Sequence, residues 1–544
     1  MLDESLADTS PLQESADGSS LIRMTLPAPC SRILWAAITT LGLAGCTVGP
    51  DFKEPPWYSP ASWFSSTERR PPREQSEAVS EPVDPRWWGL FGDRELTSLE
   101  ERVAAGNLDV RTATIQIAQS RAERGITAAA LYPALNANAS YEREKASNKG
   151  VFSALSGATG TPGTEAGGLG TGAVPPINTA IPPFDLYEYG VDATWQIDFW
   201  GSVRRSIEAA DATIASSEEA RRNALLIALA EVASDYVQLR GVQAQEQIAE
   251  ENVKVAQQNV QTTRERSAGG LSTELDVANA TAQLQQQEAQ IPQLQQQEAQ
   301  LINALSLLLG QQPNALRAEL ETRRPIPPVP PRVPVGLPSE LARRRPDIRQ
   351  AEAQLHSATA NVGVAVASFY PQVTLSASLG IQALQPKNLW TWDARQFGVG
   401  PSVTLPIFQG GQLRSTLHLR EAQQQEAAIN YERTVLNAWH DVDNALTAYD
   451  KEQRRRDTLI LSVAQNQRAL SLAVDQYRQG LIDYLPVLDA QRSLLQTQQA
   501  LAQSTTTVST NLVTLYRALG GGWEKTFPVK ATSRRPHVRQ AAAG

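Results

Sequence analysis

The sequence carries one structural unit twice. Asp109–Ser140 aligns without a gap to Asp347–Ser378 at a constant offset of 238, with identities that include Asp109/Asp347, Arg111/Arg349, Gln116/Gln354, Gly125/Gly363, Tyr132/Tyr370 and Pro133/Pro371. Farther along the offset becomes 210: Gly270-Leu271 matches Gly480-Leu481, Leu275 matches Leu485, and Leu309-Gly310 matches Leu519-Gly520. The 28-residue difference falls between the two blocks, where the first copy carries extra Gly, Thr, Ala and Pro, roughly within Ser147–Pro183. Such a duplication restricts the fold severely, because whatever one copy builds the other must build again.

Each copy reads helix, strand, loop, strand, long helix, helix. Within Tyr187–Asp198, the residues Tyr187, Tyr189, Val191, Ala193, Trp195 and Ile197 alternate with polar residues or glycine. The second copy repeats the pattern in Val373–Ile381 and again in Phe397–Ile407, while Leu135–Tyr141 shows it most weakly. Alternation alone fits any half-buried strand, a soluble sandwich included. Runs of ~9–11 residues, apolar on one face and polar on the other, also suit tilted strands between lipid and a water-filled lumen. Four strands cannot close a membrane barrel, for which about eight is the usual minimum. Edges left open in lipid would strand unsatisfied backbone groups. The chain must therefore pool its strands with other copies, two copies giving eight strands and three giving twelve. No internal apolar run approaches the ~20 residues of a spanning helix, so any membrane crossing falls to strands.

Between Ser202 and Ser267 there is no proline and one glycine, Gly241. A helix of that length reaches ~100 Å, enough to cross a periplasm. Gln283–Gln290 recurs as Gln293–Gln300 with Pro292 between them, which predicts a solvated helix face with a kink at the proline. Pro325–Pro338 reads as a stiff connector between the copies.

The N-terminal region adds a second constraint. Arg32 precedes a short apolar run that ends in Leu43-Ala44-Gly45-Cys46, the grammar of a secretory signal. The last four residues look like a bacterial lipobox, which makes Cys46 the expected lipidation site and removes Cys30 from the mature protein. The polar stretch 1–23 is unlike the start of a signal, and translation is expected to begin at Met24. The net charge of -8 argues against nucleic acid as a partner, and two cysteines leave no room for a disulfide framework. The four histidines are scattered without metal-ligand spacing, so no metal and no cofactor is expected. Gly167–Gly172 lacks the lysine and the strand-to-helix setting of a phosphate loop and reads as an exposed loop, and Arg343–Arg345 and Arg454–Arg456 read as solvated helix ends. Nothing supports an enzyme.

Several motifs then carry a resemblance. They are Cys46-Thr47-Val48-Gly49-Pro50-Asp51-Phe52, Asp84-Pro85-Arg86-Trp87-Trp88 with Phe91-Gly92-Asp93, Arg345–Glu352, Phe369-Tyr370-Pro371 and Gly480–Gln491. In combination they resemble the TolC-like outer-membrane factors, in the branch of efflux lipoproteins of the nodulation protein T type, over Cys46–Gly522. The resemblance implies a mainly α protein with a membrane β part, a two-repeat protomer of a trimeric α/β-barrel channel. Four strands per protomer would enter a shared twelve-stranded barrel, continued by a long periplasmic helical barrel. The expected divisions are a signal region 1–45, a lipidated segment 46–86, a first repeat 87–322, a connector 323–338, a second repeat 339–522 and a disordered tail 523–544.

The same resemblance implies a homotrimer held to outer-membrane lipid, working with a periplasmic adaptor and an inner-membrane pump, usually a proton-driven one. The duct would passively release small molecules such as drugs or other toxic compounds. Leu485 and Asp489 match the family's periplasmic constriction, a hydrophobic ring followed by a carboxylate ring. Asp276 and Tyr477 match residues that latch neighbouring coils, although Ile482 and Pro486 depart from relatives with further charged residues there. An outlet for type I protein secretion shares this architecture, and a lipid-anchored coiled-coil scaffold is the rival from another class.

Overall fold

The computed structural model describes residues 47–55, 63, 76–145 and 183–528. The signal region, the expected lipidation site Cys46, the Gly167–Gly172 loop and the residues after Pro528 lie outside them.

Strand β1 (Glu77–Val79) comes first. Helix α1 (Arg94–Gly106) starts at Asp93, whose carboxylate accepts from the Glu95 and Leu96 N–H groups. Asn107 caps α2 (Leu108–Ala129) in the same way. Strands β2 (Ala134–Glu144) and β3 (Phe184–Ile197) follow, then α3 (Ser202–Ala268), α4 (Glu274–Glu288) and α5 (Gln290–Leu308). After β4 (Arg332–Pro334) the second copy runs through α6 (Pro346–Ala367), β5 (Gln372–Ala383), β6 (Arg395–Thr404), α7 (Gln412–Arg478) and α8 (Tyr484–Leu519). The copies match closely, since α2 and α6 are both 22 residues long and α3 and α7 are both 67. At 1.5 Å per residue each long helix spans ~100 Å. A left-handed glycine opens both, Gly201 at φ +82° and Gly411 at φ +88°. The kink expected at Pro292 appears as the break between α4 and α5 at Ala289. The proline offers no N–H to the Glu288 carbonyl, and its ring crowds that oxygen.

Strands β2, β3, β5 and β6 form one antiparallel sheet in that order. Below it the helices pack in the corresponding order, α2 on α3, α3 on α6 and α6 on α7. Register aligns the alternating pattern across all four strands. Ala137, Val191, Leu379 and Phe397 make one row, and Leu135, Ala193, Ala377 and Val399 the next. The opposite face carries rows such as Asn136, Asp192, Ser378 and Gly398. Gly190 faces Gly380 there so closely that a Cβ on Gly190 would lie 2.7 Å from the Gly380 Cα.

The main core lies midway along the long helices. Trp87 is fully buried, stacks on Tyr516 at 5.4 Å and meets Trp88 edge-on at 5.8 Å. Arg240, also fully buried, reaches Glu95 at 3.1 Å, Gln243 at 2.7 Å and the Leu320 and Thr322 carbonyls. A buried charge is tolerable only when paired and hydrogen-bonded in this way. The proline-rich connector is stitched into this region rather than spanning freely. Its β4 pairs in parallel with β1, and its Pro327 carbonyl accepts from Ser509.

Three expectations are corrected. Strand β6 stops at Thr404 instead of continuing to Ile407, because Pro406 has no N–H for a ladder. Arg345, read with its neighbours as a solvated helix end, is buried and bonds Asp347, Asp441 and the Ala518 carbonyl. Trp523–Pro528, assigned to a disordered tail, is packed: Trp523 is buried, Arg222 donates to the Phe527 carbonyl, and Arg221 lies 3.9 Å above the Phe527 ring. Trp87→Ala should lower the unfolding free energy by ~3–5 kcal/mol through loss of a fully buried indole. Thermal denaturation followed by near-UV circular dichroism checks this, with the exposed Trp390→Ala as the unaffected control.

Candidate functional site

Both long helices end in the same turn. Gly270 and Gly480 adopt φ +71° and +75°, and the Leu271 and Leu481 N–H groups reach back to the Arg266 and Gln476 carbonyls. This is a Schellman stop, which needs a residue without Cβ strain. Below it Val260, Ala280, Tyr477, Tyr484, Val487 and Leu488 form a small separate core at the helical tip. Leu485 is 58 % exposed and Asp489 is exposed as well, one helical turn apart on α8. They occupy the face of α8 turned away from Tyr484, Val487 and Leu488. Pro486 sits in the first turn of α8, where a missing N–H leaves no helical bond unmade.

Asp276 and Tyr477 share this tip but do not meet. Asp276 completes a capping box: Thr273 Oγ1 accepts from the Asp276 N–H, and Asp276 Oδ2 accepts from the Thr273 N–H at 3.0 Å and the Ser272 hydroxyl at 2.9 Å. Burial works against the charge, but these hydrogen bonds outweigh it and hold the carboxyl below its ordinary value. Tyr477 is buried against Tyr484 at 5.5 Å with the Arg266 guanidinium 4.6 Å from its ring centre. Its hydroxyl has no hydrogen-bond partner among the described residues.

A second constellation, unforeseen from the sequence, lies just below the sheet. The buried Arg205 guanidinium bonds Asp51 at 2.6 Å, Glu208 at 2.8 Å and the Val48 and Gly49 carbonyls. Glu208 accepts in turn from His356, whose ring stacks on Phe52 at 4.4 Å. Gly49, at φ +94°, presses against Gly363, where a Cβ would come within 2.5 Å of backbone. The Val48 N–H donates to the Trp200 carbonyl, and Trp200 stacks on Tyr370 at 4.7 Å. The segment that follows Cys46 is thus clasped to the rim where β3 becomes α3. The one sequence signal was Gly49 and Asp51 within the N-terminal motif, because nothing local links them to Arg205.

The polar face of the sheet carries Glu142, Glu144, Glu188 and Asp192, and neither lysine nor arginine among the described residues. Asp192 accepts from Asn136, and Glu188 from Gln396.

The sequence profile of outer membrane efflux proteins matches residues 99–311 and again 337–521, one stretch for each repeat. The chain belongs to the outer membrane efflux protein family. It is 30 % identical to the probable outer membrane lipoprotein SilC of Salmonella typhimurium over 88 % of this chain and 96 % of that one. It is 32 % identical to the pyoverdine export outer membrane protein OpmQ of Pseudomonas aeruginosa over 90 % and 96 %. Among solved structures, the outer-membrane channel OprN superposes with a TM-score of 0.76 at 32 % identity, over 88 % of this chain and all of that one. CusC gives 0.70 at 27 %, over 88 % of this chain and all of CusC. The chain is accordingly an outer-membrane component of an efflux system, built on the fold of these channels.

Within this efflux protein the capping box makes a pH-dependent contribution at the tip. A carboxyl held below its ordinary value stabilises fully above that value, near 3.8, and loses its effect as pH falls through the lowered one. Amide exchange in the first turn of α4 should therefore show constant protection from neutral pH to well above 3.8 and lose protection below it. Thr273→Ala should cost ~1 kcal/mol of local stability, about fivefold faster exchange there, at every pH.

Proposed function

We propose that three copies close edge to edge into a passive exit duct that receives small molecules from a periplasmic adaptor and a proton-driven inner-membrane pump, and that the duct performs no chemistry of its own. The observation that carries this reading is that sheet and helices leave the same two edges open. Strands β2 and β6 end the sheet, and α2 and α7 end the helical layer beneath them. Ile115 and Ile126 on α2 and Leu419, Ile429 and Leu436 on α7 are exposed in the single chain. A contact between two different edges is heterologous and closes only as a ring. Twelve strands from three copies suit a conducting lumen better than the eight from two, whose interior side chains would fill.

Cys46 immediately precedes the clasped Thr47, so a lipid on its sulfur would enter the bilayer at the Trp200–Tyr370 rim. Leu485 and Asp489 are assigned to the periplasmic gate, three leucines excluding water and three carboxylates favouring cations. The acidic lumenal face of the sheet supports the same preference. For the latch, the Tyr477 hydroxyl is a buried donor without a partner among the described residues, and Asp276 keeps Oδ1 clear of its capping box. A bond between them across neighbouring coils would use both. Relatives of similar identity are named for pyoverdine, toluene, antibiotic and cation efflux, which supports small-molecule cargo selected by the pump rather than by the duct.

In planar bilayers the wild-type channel should conduct weakly, Leu485→Ser should raise its conductance several-fold, and Asp489→Ala should reduce its cation preference. Unchanged conductance in both variants would move the gate elsewhere.

A further inference from the structure

The outer end of the sheet holds a cation on the wrong face. Strand register places Arg395 in the row of Ile381, Tyr189 and Ala139, on the apolar side that Phe397, Val399 and Val403 continue. The other arginine of that face, Arg143, is answered by Asp185 at 3.6 Å. Arg395 has no carboxylate within ion-pair distance among the described residues. Its guanidinium lies instead 4.0 Å from the ring centre of Trp392. Trp392 and Trp390 are 76 % and 82 % exposed, and Trp390 also leans on Tyr189 at 5.9 Å. Lys387 stands in the same β5–β6 hairpin, within the short turn Pro386–Asn388. Beneath this cluster the membrane face is hollowed into an open groove of about 680 Å³, lined by Ala137, Ala139, Tyr189, Leu379 and Ile381 with Arg395 among its walls.

An arginine on a lipid-facing row is tolerated only near the headgroups, where its charge finds water or an anion. A guanidinium lying on an indole ring is held in orientation but not neutralised. Its planar fork matches a phosphate bidentately. Exposed tryptophans favour the same boundary between acyl chains and headgroups. At this hairpin, on the side opposite the periplasmic helices, the anions within reach of the lipid face are outer-leaflet phosphates. The two alanines keep the groove beneath the cation open and apolar, continuous with the lipid surface. We propose that the β5–β6 hairpin and this groove form a seat for a phosphate-bearing acyl lipid of the outer leaflet. Arg395 binds the phosphate with Lys387 adding positive charge, the two tryptophans flank the headgroup boundary, and the groove takes an acyl chain. The inference rests on the sheet being the membrane wall of the channel.

The test is native mass spectrometry of the purified full-length channel titrated with bis-phosphorylated lipid A, with its dephosphorylated form, and with lipid A in the presence of inorganic phosphate. Wild type should retain the phosphorylated lipid selectively. Arg395→Gln should weaken retention by about tenfold, the loss of one charge-assisted contact. Arg395→Lys should recover part of it, and Arg143→Gln, which removes the paired arginine, should change nothing. Lys387→Gln, in an exposed turn, should weaken retention less. Equal retention by wild type and Arg395→Gln overturns the proposal. So does equal retention of the phosphorylated and dephosphorylated lipids, or displacement of the lipid by inorganic phosphate alone. Conductance separates this outcome from failure of the channel reading, because variants that conduct like wild type without lipid selectivity sink only the lipid seat.

Discussion

A β-strand in hydrocarbon has no water to satisfy its backbone, and every feature of this protein follows from meeting that demand with only four strands per chain. Each unpaired peptide group in lipid costs several kcal/mol. Strands β2 and β6 each present a full edge of such groups. The edges can be satisfied only by each other, on different copies, so the sheet dictates assembly. The helices obey the same rule through packing. They succeed one another in the same order as the strands and leave α2 and α7 with exposed apolar residues at the matching edges. Duplication is the economical way to make such a wall, because a repeated strand pair and its long helix reproduce one curvature twice.

Much of this was legible in the sequence because it is periodic. The alternation in Tyr187–Ile197 and in Val373–Ile381 survives in the register, which sets Val191 opposite Leu379 and Ala193 opposite Ala377. The proline-free run from Ser202 became one helix, and its counterpart from Gln412 reached the same length. What escaped was held by contacts distant in the chain. Strands β1 and β4 are three residues each and exist only because they meet across the fold. Arg345 looked solvated in an arginine run, yet Asp441 and the Ala518 carbonyl bury it. The Arg205 clasp joins Asp51 to a helix more than 150 residues away, and no local pattern announces it.

The candidate site divides in the same way. The turns at Gly270 and Gly480 are local chemistry marked by the repeat, whereas the capping box at Asp276, equally local, went unread because Asp276 was matched to a latch. The roles proposed for Leu485, Asp489 and Tyr477 concern neighbouring coils, and the single chain displays these residues only as exposed groups or, for the Tyr477 hydroxyl, as one without a partner among the described residues. Tyr477 illustrates this, with a buried ring packed in the tip core and a hydroxyl that finds no hydrogen-bond partner among the described residues.

Everything above depends on how many copies complete the wall. The decisive experiment is the native mass of the detergent-extracted protein. Closure of the β2 and β6 edges around a conducting lumen predicts a particle of three chains that stays intact until the sheet unfolds. A monodisperse single chain, or a stable pair, would contradict it.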